Sequence, residues 1–282
     1  MSGKLYLCAT PIGNLQDMSP RIQETLQNVD LIAAEDTRNS LKLLNHFGIR
    51  TPMTSYHEYN KVDKAYTLIA KMQAGEDIAL ITDAGTPAIS DPGEVLVRMC
   101  QEAGITVTSL PGPVACITAL TLSGLSTRRF CFEAFLPAEK RERERVLKEL
   151  VEETRTIILY EAPHHLKKTL KLLQETLGDR KITICRELTK KFEEVKPTTL
   201  SEAVAYYETQ EPRGEYVLVI EGKSFAEKEA DEHRSWEELT IEEHMKLYED
   251  QGMSNKDAMK AVAKDRGVGK REIYQAIHVT DA

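Results

Sequence analysis

Apolar residues in the first 110 positions fall into short runs separated by amphipathic stretches, an alternation that predicts a repeating strand and helix order. Lys4 to Ala9, Leu31 to Ala34, Thr54 to Tyr56, Ile78 to Thr82 and Thr106 to Leu110 read as strands. Between them, Ser19 to Asn28, Arg38 to Phe47, Ala65 to Ala74 and Gly93 to Ala103 carry helical spacing, with Gly75 and Gly104 as stops. Strands separated by helices of about ten residues imply a mostly parallel sheet.

Pro111-Gly-Pro113 breaks this rhythm and closes an N-terminal lobe over 1–113. Val114 to Leu122 starts a helix leading into a second, less regular α/β lobe over 114–223. Strands are predicted there at Phe130 to Phe135, Arg155 to Tyr160, Lys181 to Arg186 and Tyr216 to Glu221, with helices at Lys140 to Thr154 and His164 to Leu177. An acidic linker over 224–238 follows, and then a small helical domain over 239–282. Within it, Thr240 and Glu243 fit a capping box, Ser254 caps a helix to Asp265, Gly267-Val-Gly269 forms a turn, and Lys270 to His278 makes the last helix. The pattern is that of a helix-turn-helix with Val268, Ile273 and Ile277 as its apolar seam. A plain helical cap or dimerisation hairpin is the alternative.

The net charge of −8 argues against a nucleic-acid partner until its distribution is considered. Eight acids and two basic residues lie between Ser224 and Glu243, whereas His164 to Lys196 holds nine basic residues against five acids. Ser254 to His278 carries six Lys or Arg against three acids, with Lys264, Arg266, Lys270 and Arg271 about the turn, where phosphates are usually gripped. The charged helix from Lys140 interleaves both signs and reads as a solvated, ion-paired face. Five widely spaced cysteines, Cys8, Cys100, Cys116, Cys131 and Cys185, suggest buried thiols and give neither a disulfide framework nor a zinc spacing. The apolar part of the first ten residues is too short for a signal peptide and no run suits a membrane span, which favours the cytoplasm.

Candidate chemistry concentrates in four loops that follow strand ends: Thr10-Pro-Ile-Gly-Asn14, Glu35-Asp-Thr-Arg38, Asp83 to Gly93, and Pro111-Gly-Pro113. An open α/β sheet binds its ligand outside the carboxyl ends of its strands, so four such loops make one cleft. In the third loop Gly85 permits close approach or a positive φ, Pro87 and Pro92 stiffen the chain, and Asp83 adds an acceptor. No Lys follows the glycines and nearby acids repel polyphosphate, so a polar nucleoside-like molecule suits the loop better.

Eight ordered motifs then carry a resemblance. They are Ala9-Thr-Pro-Ile-Gly-Asn-Leu15, Ala34-Glu-Asp-Thr-Arg38, Ser55-Tyr-His-Glu58, Thr82 to Gly93, Leu110-Pro-Gly-Pro113, Tyr160-Glu-Ala-Pro-His-His165, Cys185-Arg-Glu-Leu-Thr-Lys190 and Arg213-Gly-Glu-Tyr216. With them the chain resembles the tetrapyrrole methylase superfamily and, within it, the branch that methylates the ribose 2′-hydroxyl of a cytidine in the decoding region of 16S ribosomal RNA. The resemblance implies the two-lobed fold of that superfamily, a homodimer, and S-adenosylmethionine held between the lobes. Carried over by position, Pro11, Asp83, Ala84, Gly85, Thr86, Ile89, Val114, Ala115, Glu161 and Leu188 would hold the cofactor. The third loop departs from the Gly-Gly-Asp-Pro of the tetrapyrrole-modifying branch, which points away from a macrocycle.

Displacement at a sulfonium carbon needs alignment and no metal, and a ribose hydroxyl gains from a base or a charge that stabilises the alkoxide. Glu35, Asp36, His57, Glu58 and Glu187 are the candidate bases, with Arg38 or Arg186 as positive partner, and Asp36 with Arg38 is expected in the acceptor site. The partner implied is ribosomal RNA or an assembled small subunit. A tetrapyrrole methyltransferase and a non-catalytic nucleic-acid-binding regulator are the alternatives.

Overall fold

A computed structural model describes residues 2–228, 230 and 239–278. Two compact units divide the chain, 1–222 and 223–282. Most of the acidic segment expected as a linker lies outside the described residues.

The first unit opens with a five-stranded, wholly parallel sheet. Its strands are β1 (Lys4–Cys8), β2 (Leu31–Ala34), β3 (Met53–Ser55), β4 (Ile78–Ile81) and β5 (Thr106–Leu110), in the spatial order β3-β2-β4-β1-β5. Parallel neighbours need crossovers, and helices α1 (Pro20–Asn28), α2 (Thr37–His46), α3 (Lys61–Gln73) and α4 (Gly93–Glu102) supply them. Ser19 caps α1, its Oγ accepting from the Ile22 amide ahead of a helix-starting Pro20. Asp36 caps α2. Every residue of β4 is buried, because helices cover both faces of the sheet. Leu5, Tyr56, Leu68, Met72 and Leu96 pack on one face, and Ile22, Leu26, Ile32, Leu44 and Ile81 on the other.

After α5 (Ala115–Leu122) a second five-stranded sheet forms from β6 (Phe130–Ala134), β7 (Thr156–Glu161), β8 (Lys181–Arg186), β9 (Glu194–Thr199) and β10 (Tyr216–Ile220), ordered β6-β7-β10-β8-β9. Only β6 and β7 run parallel; β10 is antiparallel to both of its neighbours, and β9 is antiparallel to β8. Helices α6 (Lys140–Val151), α7 (Pro163–Leu177) and α8 (Leu200–Thr209) complete this lobe. The sequence pattern had not marked β9 or α8. Glu-Val-Lys-Pro-Thr-Thr shows no apolar run because β9 is an edge strand, where a Pro and a Lys are tolerated. Helix α8 is announced by a capping box, Thr199 with Glu202, that apolar periodicity overlooks.

The second unit contains α9 (Ile241–Asp250), α10 (Asn255–Asp265) and α11 (Lys270–His278), packed around Met245, Met259, Val262 and Ile273. Both expected caps are present: the Thr240 and Glu243 box, and Ser254 accepting from the Asp257 amide. Two details differ from expectation. Val268, assigned to the apolar seam, is exposed, since it sits in the turn between helices. Arg266, assigned to phosphates, turns inward, its Nε donating to His244 Nδ1 at 3.2 Å and its Nη2 to the Leu239 and Thr240 carbonyls. A fully buried His244 makes that inward bond worth more than a solvated contact.

Four cysteines are buried and Cys131 is half-buried, and burial pushes the Cys8 thiol up to about 12. Among the described residues no group of three His, Cys, Asp or Glu could hold a metal, and no helix is long and apolar enough to cross a membrane.

Candidate active site

The four loops at the carboxyl ends of the first sheet are joined by hydrogen bonds into one rim. The Thr10 amide donates to the Gly85 carbonyl at 2.9 Å and the Gly85 amide returns to the Thr10 carbonyl at 3.0 Å, tying the first loop to the third. Thr86 Oγ1 donates to the Pro113 carbonyl at 3.0 Å, tying the third to the fourth. Asp83 ties it to the second: its carboxylate accepts from the Asp36 amide and from Asn39 Nδ2, each at 3.3 Å.

The third loop is also braced from within. Asp91 accepts from the amides of Ala88, Ile89 and Gly93 at 2.8 to 3.0 Å. That cage holds Ala88 and Ser90 at φ of 66° and 65°, values that side-chain-bearing residues seldom adopt. Gly85 takes φ 86°, and a Cβ there would come within 3.4 Å of Ile12 and 3.5 Å of the Pro113 carbonyl. Its missing side chain leaves room for a ligand.

A cleft of about 590 Å³, open solvent included, lies between the lobes. From the first lobe and α5 come Ile12, Ala84, Gly85, Thr86, Ile89, Val114 and Ala115; from the second come Tyr160, Leu188, Lys190, Glu215 and Val217. Tyr160 is fixed by its hydroxyl, which accepts from the Cys116 amide at 3.1 Å. The lobes meet closely at Gly13, where a Cβ would fall 2.4 Å from Lys190 Cγ and 3.0 Å from the Leu188 carbonyl. Lys190 donates to Glu187 at 2.9 Å and Glu215 at 2.8 Å. Burial raises the Glu187 pKa, but the Lys190 ammonium and the Glu215 amide outweigh it and leave the carboxyl below its usual range.

A second, acidic pocket lies at the second loop, which Asp83 ties to the third loop next to the cleft-lining Ala84. It is lined by Glu35, Asp36, Thr37, Arg38, Ser55, His57, Glu58 and Tyr59. Asp36 pairs with Arg38 at 2.9 Å, which holds the Asp36 carboxyl at about 2. Glu35 moves the other way: burial first, then the charge of Asp83, raise its pKa against one hydrogen bond from the Asp83 backbone. One pocket thus holds a carboxyl kept low by its guanidinium partner and one with enhanced affinity for a proton, the division of labour that acid–base chemistry needs. His57 Nδ1 is buried there with no hydrogen-bond partner.

Of the residues expected at the cofactor, Ala84, Gly85, Thr86, Ile89, Val114, Ala115 and Leu188 line the cleft. Pro11 precedes the lining residue Ile12, and Asp83 faces Asp36 and Asn39 instead. Glu161 points inward, one oxygen accepting from the Ala162 amide and the other from Thr169 Oγ1. Of the expected catalytic residues, Glu35, Asp36 and Arg38 share the acidic pocket with His57 and Glu58, whereas Glu187 lies beside Lys190 and Arg186 pairs with Glu194 at 3.2 Å. Ile12, Tyr160, Lys190, Glu215 and Val217 were not singled out for the cleft. Ile12, Tyr160, Lys190 and Glu215 sit inside motifs quoted above, the only signal that could have found them, and Val217 lies just past the last one.

Residues 4–204 match the tetrapyrrole (corrin/porphyrin) methylases. The chain is 48% identical to the ribosomal RNA small subunit methyltransferase I of Synechocystis over 97% of its own length and 96% of that protein. It is 46% identical to the Bacillus subtilis protein of the same name over 98% and 94%, and 45% identical to that of Escherichia coli O157:H7 over 97% and 94%. The chain belongs to the ribosomal RNA small subunit methyltransferase I family. Members of this family are methyltransferases that use S-adenosylmethionine. Among solved structures, a diphthine synthase shares the fold at TM-score 0.64 and 15% identity, covering 80% of this chain and 94% of that one. Cobalt precorrin-4 methyltransferase does so at 0.58 and 17%, covering 77% and 94%. These two likenesses, at such identity, are of fold.

The cleft fits the family's cofactor on the residues themselves. Ile12, Ile89, Val114, Leu188 and Val217 give apolar walls, and Thr86, Tyr160, Lys190 and Glu215 add the few polar groups a small-molecule site needs.

Proposed function

We propose that the protein methylates the ribose 2′-oxygen of a cytidine in the decoding region of small-subunit (16S) ribosomal RNA. The observation that carries this reading is a cleft between the lobes together with an acidic pocket holding Glu35, the two linked through Asp83 and Ala84 of one loop. The names of the relatives support a ribosomal RNA acceptor.

When bound, S-adenosylmethionine supplies a methyl group already activated by its sulfonium. The chain's own task is alignment and proton removal. Ala84, Gly85, Thr86 and Ile89, held rigid by Asp91 and by the bond from Thr86 to Pro113, form one wall of the donor cleft. Glu35 accepts the proton of the 2′-hydroxyl at its carboxylate, for which its raised pKa suits it. Asp36 fixes the Arg38 guanidinium, whose charge stabilises the developing alkoxide or a neighbouring phosphate. Positive segments of the second lobe and the helical unit steer RNA, and a cytoplasmic location beside that substrate belongs to the same reading. A homodimer, implied by the resemblance, belongs to the same reading.

Exchanging Asp36 for Asn or Arg38 for Ala lowers the methylation rate at saturating RNA by about 10- to 100-fold and leaves cofactor affinity within twofold. Full rates in both variants would remove this pocket from the reaction.

A further inference from the structure

Phe135 lies one residue beyond β6 with its side chain 55% exposed. Exposure of a single phenylalanine is ordinary, but here both flanks of the residue are locked. On one side the register of β6 against β7 shifts between Phe132 and Ala134, a bulge that re-aims the chain, and Ala134 takes φ 53°. On the other, Leu136 packs into the core of the second lobe, and the Pro137 and Ala138 carbonyls accept from Arg143 Nη1 at 3.0 and 2.8 Å. The ring is therefore held outward by a fixed loop.

It is held against a ring that lines the donor cleft. The Phe135 centroid lies 5.7 Å from that of Tyr160 at an interplanar angle of 63°, and Phe132 lies 5.0 Å from Tyr160 on its own contact. Tyr160 lines the donor cleft and Phe135 does not. An edge-to-face aromatic pair thus joins a cleft-lining ring to an exposed one that costs little ordering to present.

We propose that Phe135 is the stacking platform for the nucleobase of the nucleotide whose ribose is methylated. A target ribose can reach the donor cleft only if its base leaves the helical stack, and an unstacked base is held most readily on an aromatic face. Stacking orients the sugar without reading the base edge, so Phe135 sets position, while recognition of cytosine belongs to other groups. This rests on the RNA reading above.

The test compares Phe135→Ala, Phe135→Leu, Phe135→Tyr and Phe135→Trp in the full chain, with undermethylated small subunits and labelled cofactor. Stacking predicts that the Ala and Leu variants raise KM for the subunit by about tenfold, that Tyr and Trp stay within about twofold of the parent, and that cofactor KM is unchanged in all four. Leu equal to Tyr would show an apolar contact without stacking and overturn the proposal. So would a change confined to cofactor KM, or a loss of oligomer mass with subunit KM unchanged. A parent enzyme that methylates subunits while Phe135→Ala matches it rejects the platform alone; a parent that methylates none rejects the RNA reading and the platform with it.

Discussion

Glu35 shows how one side chain's surroundings lead to a testable role. Its carboxyl has a raised pKa, so the folded state favours the protonated form more than the unfolded state does. Glu35 therefore costs stability as pH rises from the ordinary carboxylate value to its raised one, and the cost persists above that window. Glu35→Gln should be more thermostable than the parent at pH 7, by no more than about 2 °C because solvent screens a half-exposed group, yet slower in kcat by about 100-fold or more. Thermal denaturation beside a methylation assay decides it; unchanged kcat would make Glu35 a structural acid. Gly85→Ala, strained at φ 86° in a loop that lines the cleft, should raise the cofactor dissociation constant on the order of tenfold. Titration calorimetry with S-adenosylmethionine checks that value. That Glu35, Asp36 and Arg38 would line one pocket and Gly85 the cleft was legible because each stands where a strand meets a polar loop. The inward turn of Glu161 to Thr169 was not, since adjacency to Tyr160 in a motif says nothing about which way a side chain points.

Most elements of both lobes were readable from apolar period and glycine stops, because buried strands such as Ile78–Ile81 and capped helices such as Pro20–Asn28 announce themselves. The edge strand Glu194–Thr199 did not, for its pattern is set by exposure. What periodicity could not supply was the wiring between elements: Thr10 to Gly85, Thr86 to Pro113 and Asp83 to Asp36 are contacts across 27 to 75 positions. Asp91 is the brace whose loss should show at this scale. Asp91→Ala removes three hydrogen bonds from amides and releases two residues from left-handed geometry, which should cost about 2 kcal/mol in stability and weaken cofactor binding together. Denaturant unfolding and cofactor titration of the same variant should move in step. A stable variant with intact affinity would show that the loop holds its shape without Asp91.

At the scale of the molecule, the first unit holds both pockets, and in the second the described helices α9 to α11 pack around a core of their own. Its inward Arg266 leaves Lys264, Lys270 and Arg271 of the cluster first assigned to phosphates, a smaller basic patch than the sequence implied. Removing residues 223–282 should leave cofactor affinity intact and weaken RNA binding by about tenfold, with a shallower dependence on salt. Equal RNA affinity at every salt concentration would assign that unit another role. The reading of the whole chain, methyl transfer to a ribose oxygen, has one direct measurement. Undermethylated small subunits are incubated with the protein and S-adenosylmethionine labelled in its methyl group, and their RNA is then digested to nucleosides. The account predicts label in 2′-O-methylcytidine from a single site; label on a nucleobase, or none transferred to RNA, would contradict it.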